Sequence, residues 1–146
     1  SRTARTARQI FAAGYPPMPL HVEPALTEQD LGDWQGLAHA ALPPRLRQRP
    51  HPFWPLSGAE QPPRGESMEQ VIARVGPALE RLAASEAGGD VVAVSHGGAI
   101  RAAIAHALRI GADPVLHLSI ANLGLSRLDR EAEGWRVVCV NEAAGV

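Results

Sequence analysis

The chain has 146 residues, 45% hydrophobic and 20% charged, with a formal net charge of −1 at pH 7. That length suits one domain burying roughly two-thirds of its unfolded surface, and near-neutrality excludes a global field that would gather nucleic acid or an anionic membrane. No apolar run approaches the ~20 residues needed to span a bilayer, no signal-peptide pattern is present, and the single Cys139 excludes an internal disulfide, so a cytoplasmic location is expected.

Residues 2 to about 13 favour a helix, with Ala4, Ala7, Ile10 and Phe11 as its apolar stripe and Arg2, Arg5 and Arg8 as a second row. Such a row reads as a solvated face on spacing alone, because stacking aromatics and a charge excess for nucleic acid are missing. Gly14 and Tyr15-Pro16-Pro17 end this helix. Leu20-His21-Val22-Glu23 alternates apolar and polar, as a short strand does. The next stretch, Leu26 to Gly36, sets two glycines and three acids around Trp34, which predicts a loop with Trp34 packed as its anchor.

Residues 37–48 carry a helical pattern interrupted by Pro43-Pro44, and the proline-rich run from Pro50 to Gly65 predicts a long irregular loop. Phe53 and Trp54 in that loop suit either a lid over a site or a surface flap with its aromatics docked beneath. Ser67 and Gln70 form a capping box, opening a helix whose apolar face is Val71, Val75, Ala78, Leu79 and Leu82. Val91-Val92-Ala93-Val94 then reads as a strand buried on both faces, followed by the turn Ser95-His96-Gly97-Gly98. A further helix runs to about Arg109, with Ile100, Ala103, Ile104 and Leu108 inward and Gly111 as its stop. Two alternating runs, Leu123–Leu128 and Trp135–Val140, predict a hairpin.

The order of elements predicts an α/β domain with helices on both faces of a sheet. One difficulty stands out. Only Val91–Val94 is apolar enough for a central strand, and such a strand wants at least one equally apolar neighbour.

Several chemistries are disfavoured by spacing. The six histidines show no close-spaced ligand pair, so no metal is expected. Ser95 and His96 are adjacent and point to opposite sides of an extended chain, and the Gly-x-Ser-x-Gly elbow is missing. Gly97-Gly98 lacks the third glycine of a dinucleotide-binding turn. What remains is His96 beside two glycines at a helix start, a position suited to an anion, with arginines and a carboxylate elsewhere that could converge on it. Phosphate-ester chemistry is one hypothesis among several on these grounds.

Four ordered blocks add a resemblance. Arg2-Thr3-Ala4-Arg5-Thr6-Ala7, then Leu26-Thr27-Glu28 with Gly32-Asp33-Trp34-Gln35-Gly36, then Gly65-Glu66-Ser67 with Arg74, then Val94–Arg101 together resemble the histidine phosphatase superfamily, the phosphoglycerate-mutase-like proteins. The resemblance implies a three-layer α/β sandwich with helices on both faces of its sheet. It also implies a hydrolase working through a phosphohistidine without a metal or other cofactor, on a small-molecule phosphate ester. Arg2 would hold phosphoryl oxygens, Glu28 would be the proton donor, and His96 with the Gly97 N–H would stabilise phosphoryl charge. The family's first central strand, ending in Arg-His-Gly with the nucleophilic histidine, does not occur in this sequence. The single domain 1–146 is therefore expected to be N-terminally incomplete and, alone, inactive. Thr3, Gln35 and Arg64 depart from the family's usual Ala, Glu and Gly. A mutase returning the phosphoryl group to a sugar acid, and a non-catalytic phospho-ligand binding domain, are the alternatives.

Overall fold

The computed structural model describes residues 2–14, 19–86 and 88–143. Its centre is the helix that follows His96. This helix, called α3 here, spans Gly97–Leu108, and Gly98, Ala99, Arg101, Ala102, Ile104, Ala105 and Ala107 are all buried. A helix apolar nearly all round must be covered on more than one side, and α3 is.

Before it come α1 (Arg2–Ala12) and α2 (Met68–Ser85), and after it a single helical turn, α4 (Ala112–Val115). One side of α3 packs Ala99 and Ala102 against Met68, Val71 and Val75 of α2, joined by Ala112 and Leu116. Val71 and Val75 are fully buried, which is worth roughly 1.5–3 kcal/mol each. Small residues set the spacing. A Cβ on Gly76 of α2 would lie 2.5 Å from His106 Nδ1 of α3, so only glycine lets the two helices approach this closely. The opposite side of α3 packs Ile104 and Ala105 against Val115 and against Leu128, Val137 and Val140 of a hairpin.

That hairpin is β1 (Leu125–Glu131) and β2 (Gly134–Glu142), antiparallel, with Glu131 opposite Gly134 and an irregular register beside Arg127. It confirms the two alternating runs. The capping box is also present, with the Gln70 N–H donating to Ser67 Oγ at 3.2 Å and the Ser67 N–H to Gln70 Oε1 at 2.8 Å. Arg2, Arg5 and Arg8 are exposed, as a solvated row should be, and Ala7 is buried. Residues 15–17, assigned to the end of the first helix, lie outside the described residues.

Four local expectations need correction. Val91–Val94 joins no ladder among the described residues, and Val91 and Val92 are 46% and 65% exposed. Four β-branched or small apolar residues favour extended chain, but a strand also needs a neighbour to satisfy its N–H and C=O groups, and none lies alongside among the described residues. The same holds for Leu20–Glu23, where Glu23 instead caps a 3-10 turn at Pro24–Leu26. Residues 37–48 form two short 3-10 turns, His39–Ala41 and Pro43–Arg45, because the proline pair removes the donors a longer helix needs. Finally, α3 ends at Arg109 in the left-handed region (φ 55°), before Gly111, and Leu108 faces solvent.

The proline-rich loop is a fixed wall. Glu60 is buried and accepts the N–H groups of Arg47 (3.0 Å) and Gln48 (2.9 Å), and the Gly58 N–H donates to Asp113 Oδ1 at 2.6 Å. Trp54 and Leu56 dock beside Trp34 and Leu42, while Phe53 stays exposed with its ring against His117. Trp34 is buried as the anchor expected of it.

Candidate active site

His96 is the N-cap residue of α3, with extended backbone (φ −119°, ψ 161°), and its side chain makes no capping hydrogen bond. Helix N-termini leave N–H groups without partners. Here one of them is satisfied from a distance. Glu28, 70 residues away in sequence, accepts the Gly98 N–H on Oε1 at 3.0 Å, and the same oxygen accepts the Gln29 N–H at 2.9 Å. Glu28 thus serves as the cap that His96 does not provide, with its negative charge at the positive end of the helix. Glycine is required at position 98 for this. A Cβ there would overlap Glu28 Oε1 and reach within 3.4 Å of its carboxyl carbon.

The segment bearing Glu28 is held rigidly. Arg74 of α2 forks onto Glu66, with Nε to Oε1 at 2.8 Å and Nη2 to Oε2 at 3.0 Å. Its remaining donors reach the carbonyls of Ala25 (2.6 Å), Thr27 and Glu28 (both 3.1 Å). The Arg74 guanidinium holds the Glu66 carboxyl below its ordinary range. Glu66 in turn accepts the Asp30 N–H at 3.1 Å, and its own N–H donates to Asp30 O at 2.7 Å. Ser95 Oγ donates to Leu26 O at 2.6 Å, tying the turn before α3 to the same loop. The serine set aside as a nucleophile is therefore a strut.

Glycines let the two loops touch. Gly32 (φ +49°) and Gly65 abut, and a Cβ on Gly65 would fall 2.8 Å from the Gly32 nitrogen. Arg64 adopts φ 59°, the left-handed region that glycine enters freely.

Of the four sequence-designated residues, the structure brings Glu28, His96 and Gly97 to one place. The imidazole of His96 and the N–H of Gly97 have no hydrogen-bond partner among the described residues. Arg2 is exposed at the first position of α1, and its side chain has no hydrogen bond or ion pair with the other three among the described residues. Among those residues no group of three His, Cys, Asp or Glu could hold a metal ion, and no helix is long and apolar enough to cross a membrane.

Arg101 was missed. It lies four residues after Gly97, so its side chain leans back toward the start of α3. It is 7% exposed, donates from Nε to Leu118 O at 2.9 Å, and lies 4.6 Å from the centroid of the Trp54 ring. Burial holds it below the ordinary arginine value, and the charge of Glu28 opposes that. An arginine on the inward face of an otherwise apolar helix was the available signal.

Beside Glu28 opens a cavity of about 170 Å³, lined by Leu31, Trp34, Leu37, Leu42, Trp54 and Leu56 among others. It gives the site a concave side next to its carboxylate.

Comparison with known proteins follows this geometry. The chain is 33% identical over 113 residues to a 2,3-bisphosphoglycerate-dependent phosphoglycerate mutase of Cytophaga hutchinsonii, covering 76% of this chain and 53% of that protein. It is 38% identical over 104 residues to the glucosyl-3-phosphoglycerate phosphatase of Mycobacterium tuberculosis, covering 62% of this chain and 44% of that protein. The chain thus spans about half the length of these curated relatives. The solved structure of a mycobacterial glucosyl-3-phosphoglycerate phosphatase complexed with VO3 aligns over 97% of this chain and 72% of its own, at 29% identity and TM-score 0.76. Bacillus stearothermophilus YhfR shares the fold at TM-score 0.80 and 22% identity, over 99% of this chain and 71% of its own. The sequence profile of the histidine phosphatase superfamily (branch 1) matches residues 1–143, and the chain, with Glu28 capping the helix that His96 begins, belongs to that family.

Proposed function

We propose that this chain is part of a phosphomonoesterase acting on a small phosphate ester through a phosphohistidine. The observation that carries the reading is the Glu28 carboxyl held on the Gly98 N–H, within two residues of His96 and the Gly97 N–H, neither of them hydrogen-bonded among the described residues. The α3 N-terminus and His96 are suited to the charge that develops on phosphoryl oxygens. Arg2 is assigned to the same oxygens by its place in the family's pattern.

A histidine nitrogen supplied by an Arg-His-Gly block attacks phosphorus, the ester P–O bond breaks, and the Glu28 carboxylic acid gives its proton to the departing oxygen. The Glu28 carboxylate then takes a proton from the water that attacks phosphorus, the P–N bond breaks, and phosphate leaves. A positioned acid–base group of this kind contributes typically 10²–10⁴ in rate. Because the 146 residues contain no Arg-His-Gly, the chain by itself is expected to give no turnover.

A mutase must seat a second anionic group on its substrate. No arginine or lysine lines the cavity beside Glu28, which favours hydrolysis over phosphoryl return to a sugar acid.

The test uses the chain extended ahead of Ser1 by a strand ending in Arg-His-Gly, assayed with esters of differing leaving group. Glu28→Gln is expected to lose about 10²-fold or more on an alkyl phosphate and much less on p-nitrophenyl phosphate, whose oxyanion leaves without needing a proton. Equal losses on both, or none on either, would remove Glu28 from the acid role.

A further inference from the structure

The cavity next to Glu28 has a chemistry of its own. Its walls are Leu31, Trp34, Leu37, Leu42, Trp54 and Leu56, and its polar groups are few. Gln29 is buried with its amide committed to Glu66 O at 2.8 Å. His39 is the one side chain of the lining able to carry positive charge, and Glu28 is its one carboxyl group.

The walls are rigid. Trp34 and Leu56 are buried, and Trp54 is braced from behind by the Arg101 guanidinium, itself anchored on Leu118 O. A preformed apolar hollow of this size has a known capacity. A cavity of about 150 Å³ lined by aliphatic and aromatic side chains accepts one benzene ring.

Position then fixes the occupant. Glu28 touches both the start of α3 and the cavity. An ester oxygen in reach of its carboxyl has the phosphoryl group on the α3 side and its carbon on the cavity side. We propose, resting on the phosphatase reading, that this cavity is the leaving-group subsite and that it selects esters whose organic part is apolar and about the size of one ring. A leaving group carrying a carboxylate or second phosphate would lose its hydration against the leucine and tryptophan walls, with no arginine or lysine among the lining residues to pair it.

Binding of unreactive phosphonates to the Arg-His-Gly-extended chain tests this without turnover. Isothermal titration compares phenylphosphonate, methylphosphonate, 2-carboxyethylphosphonate and inorganic phosphate. Phenylphosphonate is expected to bind roughly tenfold or more tighter than methylphosphonate, and the carboxyethyl compound no tighter than methyl. Leu37→Trp, which fills the cavity from its half-exposed rim, is expected to abolish the phenyl advantage while leaving methylphosphonate within about twofold. Equal binding of phenyl and methyl compounds by the wild type, a preference for the carboxyethyl compound, or a phenyl advantage untouched by Leu37→Trp overturns the subsite. Failure of all four ligands to bind is a different result: it refutes the phosphate-ester reading, and the subsite with it.

Discussion

Replacing Gly98 by alanine separates stability from function at this site. The new Cβ would overlap Glu28 Oε1, the far end of an exposed side chain, so the carboxylate can swing away while α3 stays in place. What is lost is the 3.0 Å hydrogen bond from the Gly98 N–H to a charged acceptor, worth about 1.5–3 kcal/mol where water cannot replace it and about 1 here, where it can. What is gained is the helix preference of alanine over glycine, up to about 0.8–1 kcal/mol in a helix interior and less in the first turn. The two nearly cancel. The melting temperature of Gly98→Ala should therefore fall by no more than about 4 °C for a chain of this length. Turnover of an alkyl phosphate by the Arg-His-Gly-extended chain should fall by about 10²-fold or more, because the proton donor has lost its seat. Gly65→Ala is the contrasting control. There the Cβ meets backbone, 2.8 Å from the Gly32 nitrogen and 2.9 Å from the Leu31 carbonyl carbon, and neither can move alone. Calorimetry should show it to be much the less stable variant. Unchanged turnover in Gly98→Ala, or a melting temperature as depressed as that of Gly65→Ala, would refute the reasoning.

Two further expectations concern stability. Arg64 holds φ 59°, a conformation costing a non-glycine residue about 1 kcal/mol, and its ion pair with Asp33 is largely exposed and worth little. Arg64→Gly should raise the melting temperature by about 2–4 °C, and a fall would show that the ion pair outweighs the strain. Glu80 accepts His106 Nε2 (2.9 Å) and Trp135 Nε1 (2.8 Å) on Oε1 and Arg130 Nε (3.2 Å) on Oε2, joining α2 to α3 and the hairpin. The His106 hydrogen bond foremost, then those of Trp135 and Arg130, lower its pKa from 4.5 to about 2. A depressed carboxylate stabilises the fold above its unfolded pKa and loses that contribution as the proton binds. The stability gap between wild type and Glu80→Gln should be full above pH 4.5 and close as the pH falls toward 2. A gap still full at the acid end of a melting series would exclude this linkage.

How far the sequence could be read depended on the range of the interactions involved. The capping box at Ser67, the hairpin and the solvated Arg2-Arg5-Arg8 row rest on neighbours three to seventeen residues apart, and local pattern shows them. His96 stood out locally, beside two glycines at a helix start, whereas Glu28 was singled out only through block order. That Glu28 caps α3 through Gly98 joins residues 70 apart, and no local pattern encodes it. Arg74, visible only as a motif arginine, proved to hold the carbonyls of Ala25, Thr27 and Glu28 because α2 packs across that loop. Val91–Val94 misled for the complementary reason. Its composition is that of a buried strand, yet burial comes from neighbours, and within the described residues it has none. Arg109 shows local preference giving way as well, ending α3 in a left-handed conformation two residues before the glycine that should have done so.

The central claim is that His96 and Glu28 serve phosphoryl transfer to a histidine. It is tested most directly by p-nitrophenyl phosphate turnover in EDTA, measured on the Arg-His-Gly-extended chain and its His96→Ala variant. The account predicts activity that survives the chelator and falls by about 10²-fold or more when His96 is removed. Activity abolished by EDTA, or untouched by His96→Ala, would contradict it.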